Sequence, residues 1–397
     1  MAKVMAINAG SSSLKFKLYE MPEETVICSG IAERIGHDDA IFTLKYKGEK
    51  KTKVLPIKDH AEAVSLTLDG LKEENIIKSF DEIKATGHRV VQGGKYFAHS
   101  AVFDKDTEDK IESLIPLAPL HNAAHLVGFR AFKKILPDVP AVAVFDTAFH
   151  QTMEPEDYVY PIPYEYTEKY DIRRYGAHGT SHNFLAQEGE KFLPGVEHPR
   201  IISCHIGSGA SITAIKDGKC VATSMGLTPL GGIMMGTRTG DIDPSVMKYA
   251  CYCENKSAEE MFQIFNKQSG LLGVSGVSND SRDVMEAIQK GNKRAELAYK
   301  IFVRRIADFI GSYYVRLGGA DLIVFSAGIG ENSPETRTLV CDAIKEALHV
   351  EIDESINSGL RGKEALISTN NSAIKVAVIP TDEEIMIARD AYNMLLK

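Results

Sequence analysis

The chain has 397 residues, 44% of them apolar and 25% charged, which is ordinary for a globular protein of about two or three domains. A formal net charge of −8 argues against a nucleic-acid backbone as the main partner, because such proteins carry a basic footprint. The six cysteines form no C-x-x-C pair and no disulfide ladder, the pattern of free thiols in a reducing cytoplasm.

The first apolar run, Val4, Met5, Ala6 and Ile7, reads as a buried strand and turns polar at Asn8, too soon for a signal peptide. No run is long enough for a membrane-spanning helix. A Gly-Ser turn follows at residues 10–13. Leu14, Phe16 and Leu18 then alternate with Lys15 and Lys17, as in a half-buried strand. Ser12-x-x-Lys15 matches an acyl-serine motif, but in a hairpin rather than at a helix start, so it reads as coincidence.

Arg89 follows Gly87 and His88, and His121 and His125 stand four residues apart without the glutamate of a zinc protease. The strand-like run from Ala141 to Phe145 ends at Asp146, which is either a turn former or a residue that orients a nucleophile or holds a metal's water. A proline-rich stretch at residues 153–163 separates two halves. His178 lies among small polar residues rather than on an apolar stripe.

Ile201, Ile202, Ser203 and Cys204 make another apolar strand that runs into His205, Ile206, Gly207, Ser208 and Gly209 and then alternates from Ser211 to Ile215. This unit superposes on the first when Asn8 is set against His205. A second correspondence sets Ala141 to Phe145 against Leu322 to Phe325. Together they suggest two similar α/β domains, each opening with a hairpin that points at a shared cleft. Arg238 sits in Gly-Thr-Arg-Thr-Gly; like Arg89, it is either a solvated loop charge or a planar fork for carboxylate or phosphate.

Leu297, Ile301, Ile306, Phe309, Tyr313 and Leu317 follow helical spacing up to Gly318 and Gly319. Gly328, Ile329 and Gly330 fall between a strand and a helix that opens after Asn332, Ser333 and Pro334, a natural place for phosphate. Glu383 follows the apolar run at residues 374–379, either as a metal ligand or as the acidic start of the last helix. Four Gly/Ser-rich turns in one chain point to a nucleotide. The P-loop and the dinucleotide fingerprint are absent.

Several long motifs resemble the acetate kinase (acetokinase) family. They are Ile7 to Lys15, Gly87 to Gly94, Ala118 to Asn122, Phe145 to His150, Arg174 to His182, His205 to Ser211, Gly236 to Pro244, Asp280 to Arg282, Gly328 to Ser333 and Thr381 to Glu384, in order over essentially the whole chain. The resemblance implies an α/β fold of two duplicated actin-like (ribonuclease H-like) domains flanking a nucleotide cleft. It sets residues 1–150 plus 384–397 as the acyl and Mg²⁺ side, and 151–383 as the nucleotide-binding domain and dimer interface. It also implies a cytoplasmic homodimer that converts acetate and ATP to acetyl phosphate and ADP with Mg²⁺, or Mn²⁺ in its place.

Roles carry over by position. Asn8 and Glu383 would form the metal site. Arg89 and Arg238 would bind carboxylate and transferring phosphoryl, with Asp146 supporting Arg89 or the metal. His121 and His178 would stabilise transition-state charge. Ser11, Ser13 and Lys15 would help at the phosphates. His205, Ile206, Gly207, Ser208, Gly209, Asp280, Ser281, Arg282, Gly328, Ile329, Gly330, Glu331 and Asn332 would hold the nucleotide. Val91, Leu120 and Pro229 would line the acyl pocket.

The chain departs from the family pattern in places. Ala177 stands where an aromatic is usual, which implies room for propionate or longer acids. Ser208 replaces asparagine, Gln92 histidine, Gly231 glutamate, and Asp382 asparagine. The competing readings are a short-chain fatty acid kinase, a sugar or other hydroxyl kinase with Asp146 as base, and an ATPase of the same fold that binds protein partners. The paired arginines favour a carboxylate substrate over the hydroxyl.

Overall fold

A computed structural model describes residues 1–119 and 121–397; Leu120, expected in the acyl pocket, lies outside the described residues. Contacts divide the chain into two units: Met1–Phe149 with Asp382–Lys397, and His150–Thr381. The sequence reading drew the last boundary after Glu383; the division found here puts Glu383 in the first unit.

The first unit is built on an eight-stranded sheet. Its strands are β1 (Ala2–Ala9), β2 (Ser13–Met21), β3 (Thr25–Glu33), β4 (His37–Tyr46), β5 (Glu49–Ile57), β6 (Ile83–Val90), β7 (Ala101–Val102) and β8 (Ala141–Phe145). Their order is β5-β4-β3-β2-β1-β6-β8-β7. The first five form an antiparallel meander, and β6 and β8 run parallel to β1. Val4, Met5, Ala6 and Ile7 of β1 are all buried, so both faces of the sheet are covered there. The C-terminal helix Glu383–Leu395 packs on β1 and β6. Gly87 permits this: a Cβ there would lie 2.5 Å from Ile387 Cγ2 and 2.7 Å from its carbonyl oxygen. The close approach brings the helix N-terminus, with Glu383, to the end of β6 that carries Arg89.

The second unit holds a six-stranded sheet of β9 (Arg200–Ile206), β10 (Ala210–Lys216), β11 (Lys219–Thr223), β12 (Leu322–Ser326), β13 (Ala365–Leu366) and β14 (Lys375–Val378). Their order is β11-β10-β9-β12-β14-β13. The helix expected up to Gly318 spans Lys293–Leu317 and ends on Gly318 at φ 68°. It buries Phe302, Ile306, Ile310 and Tyr313 in the unit's core.

The duplication is present, with one correction. In each unit a hairpin strand pairs in parallel with a second strand and that one with a third: β1-β6-β8 and β9-β12-β14. Leu322–Ser326 therefore corresponds to Ile83–Val90, not to Ala141–Phe145 as the sequence suggested. The true counterpart was hidden because β6 carries Gly87, His88 and Arg89 and does not read as an apolar run. His88 is buried edge-on to Phe103, Phe129 and Phe132, and burial pushes its imidazole down to about 3. It behaves as a neutral core residue.

Candidate active site

In the first unit, strand ends bring four of the expected residues together. Asn8 closes β1, Arg89 lies near the end of β6, Asp146 follows β8, and Glu383 opens the last helix. Arg89 Nε donates to both Asp146 carboxylate oxygens at 3.2 and 3.0 Å, and Nη2 donates to Oδ2 at 2.5 Å. This is a bidentate fork onto a carboxylate that is 1% exposed. Arg89 Nη1 reaches Asn8 Oδ1 at 3.4 Å, and Glu383 lies 3.9 Å from Nε. Burial, with Asp146 and Glu384 nearby, raises the Glu383 carboxyl against the pull of Arg89. Two carboxylates around one arginine leave excess negative charge. With the amide oxygen of Asn8, these are hard oxygen donors of the kind that would suit a magnesium ion.

The neighbouring acidic pair is already neutralised. Lys15 pairs with Glu384, and Lys17 bridges Asp382 at 2.9 Å and Glu384 at 3.3 Å. Burial opposes the Glu384 charge, but Lys17 and Lys15 win and hold its carboxyl low. Asp382 also caps the last helix through the Ile385 N–H and accepts from the Tyr19 hydroxyl. The negative charge added where asparagine is usual is thus offset by Lys17. Lys15, expected at the phosphates, is ion-paired within the first unit. Ser11 is exposed in the turn and Ser13 opens β2. Val91 is buried just beyond β6, and His121 precedes the helix Asn122–Ile135.

In the second unit, the β9–β10 hairpin carries residues 207–209 at its turn. A Cβ on Gly209 would lie 3.3 Å from Arg238 Nη1 and 3.6 Å from His178 Nε2, so these two side chains converge on the glycine. Arg238 is half-buried, and burial lowers its pKa. It donates to the Pro229 carbonyl oxygen at 3.2 Å and to Met235 Sδ at 3.7 Å, and among the described residues it has no carboxylate partner. His178 takes a left-handed conformation (φ 58°) before the helix Gly179–Glu190, and its ring stacks on His205 with centroids 4.1 Å apart. His205 Nδ1 lies 2.8 Å from Ser181 Oγ.

Gly207, Ser208, Asp280, Ser281, Arg282, Gly328, Ile329 and Asn332 line one cavity of about 430 Å³. Asp280 caps the helix Ser281–Gln289, and its fork with Arg282 holds its carboxyl below the usual range. The segment expected as a loop before a helix is itself the helical turn Ala327–Asn332, which starts directly after β12. Glu331 turns inward: it accepts from the Ala327 N–H at 2.7 Å and the Thr381 N–H at 3.1 Å, so its carboxylate holds the turn. Ile206 is buried in the core, so only its backbone faces the hairpin turn. A Cβ on Gly231 would lie 3.2 Å from Asp241 Oδ1 and 3.4 Å from the Gly226 nitrogen, so a side chain there would need the Asp241 carboxylate to shift by a few tenths of an ångström. Gln92 is buried and accepts from the Gly94 N–H.

Sequence reasoning missed Arg337, which is fully buried beside this cavity and donates to the carbonyls of Gly330 and Glu331. It also missed Ser211 and His182 behind His178. The helical Arg337 carries no motif that would mark it, and Ser211 and His182, though each closes one of the family motifs, carry no local sign of a link to His178.

The model of the acetokinase family matches residues 3–389. An acetate kinase of Geobacillus kaustophilus is 54% identical over 395 residues, covering 99% of this chain and 99% of that protein. The crystal structure of Porphyromonas gingivalis acetate kinase superposes with a TM-score of 0.93 at 44% identity, over 100% of both chains. A propionate kinase from Francisella tularensis gives 0.93 at 42% identity, over 99% of this chain and 100% of that one.

Proposed function

The chain belongs to the acetokinase family, and we propose that it transfers the γ-phosphoryl group of ATP reversibly to the carboxylate of acetate, giving acetyl phosphate and ADP. Its two units carry the duplicated actin-like nucleotide-binding fold. The observation that carries the reading is the contrast between the two arginines. Arg89 is forked onto Asp146, whereas Arg238 has no carboxylate and sits with His178 at a glycine turn. A half-buried cation without an acidic partner calls for an anion, and a phosphoryl group beside a Gly-Ser turn supplies it.

The chemistry needs little else. Acetate is ionised at neutral pH, so no general base is required. One carboxylate oxygen forms a bond to the γ-phosphorus in line, and the bond to the β,γ-bridging oxygen breaks, leaving its electron pair on ADP. Catalysis is positioning and charge stabilisation. Asp146 orients Arg89, whose Nη1 faces the substrate carboxylate. Arg238, His178 and His121 stabilise the equatorial phosphoryl oxygens. Asn8 and Glu383 would hold Mg²⁺, or Mn²⁺ in its place, which when bound offsets charge on the phosphates. Val91 and Pro229 line the acyl side. Ser11 and Ser13 donate to phosphate, and the cavity at Gly207, Asp280 and Gly328 takes the nucleotide.

The direct test is MgATP with acetate, propionate or butyrate and hydroxylamine, which traps an acyl phosphate as the hydroxamate. Acetate is expected to give the fastest turnover. Ala177, where an aromatic is usual, is read as sparing propionate most of the roughly 1–3 kcal/mol that one methylene is worth in an apolar pocket, so propionate should follow within about tenfold. A folded, ATP-binding protein that gives no hydroxamate with any acid would favour a hydroxyl acceptor and sink the proposal. A fall far steeper than tenfold would sink the reading of Ala177 alone.

We place the protein in the cytoplasm as a homodimer. All six cysteines are free, as a reducing compartment allows, and no described helix is long and apolar enough to cross a membrane. The helix Pro244–Glu254 buries none of its residues, and Val246, Tyr249 and Tyr252 are 45%, 70% and 83% exposed. Such a face suits a second copy of the chain. Tyr249→Asp with Tyr252→Asp should convert a dimer to a monomer in sedimentation velocity; a wild-type monomer at micromolar concentration would rule the dimer out.

A further inference from the structure

Behind His178 runs a line of buried polar groups within the second unit. His178 Nδ1 lies 2.9 Å from Ser211 Oγ. The same hydroxyl lies 2.7 Å from His182 Nε2. His182 Nδ1 lies 2.5 Å from Ser203 Oγ. Ser203, Ser211 and His182 have no solvent exposure.

Counting hydrogens gives the line a direction. Among the described residues no carboxylate bonds to His182, and burial, with His150 and His205 near, pushes its imidazole well below the usual value. It is neutral, with one N–H and one bare nitrogen. Placing the N–H on Nδ1, towards Ser203, leaves the Ser203 hydroxyl hydrogen without an acceptor, because among the described residues His182 is the only hydrogen-bond partner of that hydroxyl. A buried hydroxyl with an unused donor is the arrangement proteins avoid. Placing the N–H on Nε2 satisfies every group. Ser203 donates to His182 Nδ1, His182 Nε2–H donates to Ser211 Oγ, and Ser211 is left to donate to His178 Nδ1. A neutral His178 must then carry its hydrogen on Nε2, the edge that lies against Gly209 beside Arg238.

We propose that Ser203, His182 and Ser211 are positioning residues: a one-way hydrogen-bond chain that holds His178 as the neutral Nε2–H tautomer, ready to donate to the transferring phosphoryl group. The inference rests on the reading of His178 as that donor. The other tautomer would turn a lone pair towards an anion, so the chain acts on kcat rather than on substrate affinity.

The test is two-bond ¹H–¹⁵N correlation on the full chain labelled with ¹⁵N-histidine, with the His178 signals identified by their loss in His178→Gln. In the wild type, Nδ1 of His178 and of His182 should be bare and Nε2 protonated. Ser211→Ala should mix the His178 tautomers and lower kcat about 10- to 100-fold with both KM values within about twofold. Ser211→Thr, which keeps the hydroxyl, should restore both. Ser203→Ala, two bonds away, should mix the His182 and His178 tautomers together. A wild-type His178 protonated on Nδ1, or on both nitrogens, would overturn the proposal, and this readout needs no variant to fold. So would wild-type kcat in Ser211→Ala while His178→Gln is inactive. Full activity of His178→Gln would instead remove the donor reading beneath it, and so be told apart from a failure of the chain.

Discussion

Replacing Arg89 by alanine is expected to lower kcat/KM about 10³-fold or more and to destabilise the protein by about 3–5 kcal/mol. Both effects come from the fork onto Asp146. That carboxylate is 1% exposed, and Arg89 supplies three contacts to it between 2.5 and 3.2 Å. Without the guanidinium, Asp146 keeps a buried charge with Glu383 close by. The pair would contribute less than its loss costs, because bringing both charges out of water offsets most of their attraction. Double substitution separates the two roles. Arg89→Ala with Asp146→Asn removes both charges and should regain most of the stability, measured by urea denaturation, while the hydroxamate assay stays at the level of the single variant. Arg89→Lys keeps the charge but cannot bridge both oxygens, so it should be nearly as stable as wild type and still well below it in kcat. An Arg89→Ala protein with near wild-type kcat/KM would show that the arginine only braces Asp146 and plays no part at the carboxylate.

How much of this was legible in the sequence depends on how local the cause is. The β1–β2 and β9–β10 hairpins could be read because alternation and small turn residues are local signals, and they register Ala9 on Leu14 and Ala210 on Ile206. The helix Lys293–Leu317 could be read from its period and its glycine stop. The meander strands β3 to β5 were not read; β5 is exposed at most positions, so its sequence shows no buried face. The site residues were reached through motif resemblance, and the structure shows why spacing alone was not enough. Glu383 meets Arg89 only because the last helix packs on Gly87, about three hundred residues upstream in a chain of 397. Lys15, an attractive phosphate ligand on sequence, pairs with Glu384 from that same helix. No local pattern encodes such a pairing, and burial is equally silent about whether a histidine is a packing residue like His88 or part of a chain like His182.

Arg337 is the plainest case of a residue without a motif, and its replacement by methionine should have the largest effect on folding of the second unit. It is fully buried. Nε donates to Asn357 Oδ1 at 2.8 Å, Nη1 to the carbonyls of Gly330 and Glu331 at 2.9 and 3.1 Å, and Nη2 to those of Asn357 and Leu360 at 3.1 and 2.9 Å. No carboxylate is among these partners; carbonyl dipoles carry the charge. Burial, with Arg361 nearby, pulls the guanidinium down to about 10, so it stays protonated at neutral pH. The Gly330 and Glu331 carbonyls end the short helix Ala327–Asn332, where backbone acceptors have no partner within the helix. Arg337 therefore closes the turn that lines the nucleotide cavity and ties it to residues 357–360. Methionine fills much of the volume but removes five hydrogen bonds; the Glu331 and Asn357 carbonyls keep the Gly362 and Leu360 N–H groups, while the Gly330 and Leu360 carbonyls and Asn357 Oδ1 lose their donor, which should cost about 3–5 kcal/mol and lower Tm by roughly 10 °C. Because the turn faces the nucleotide cavity, the KM for ATP should rise several-fold while that for acetate stays nearly constant. Arg337→Lys reaches fewer carbonyls and should fall between the two. An unchanged melting temperature would refute the clamp, and an equal rise in both KM values would break its link to the nucleotide.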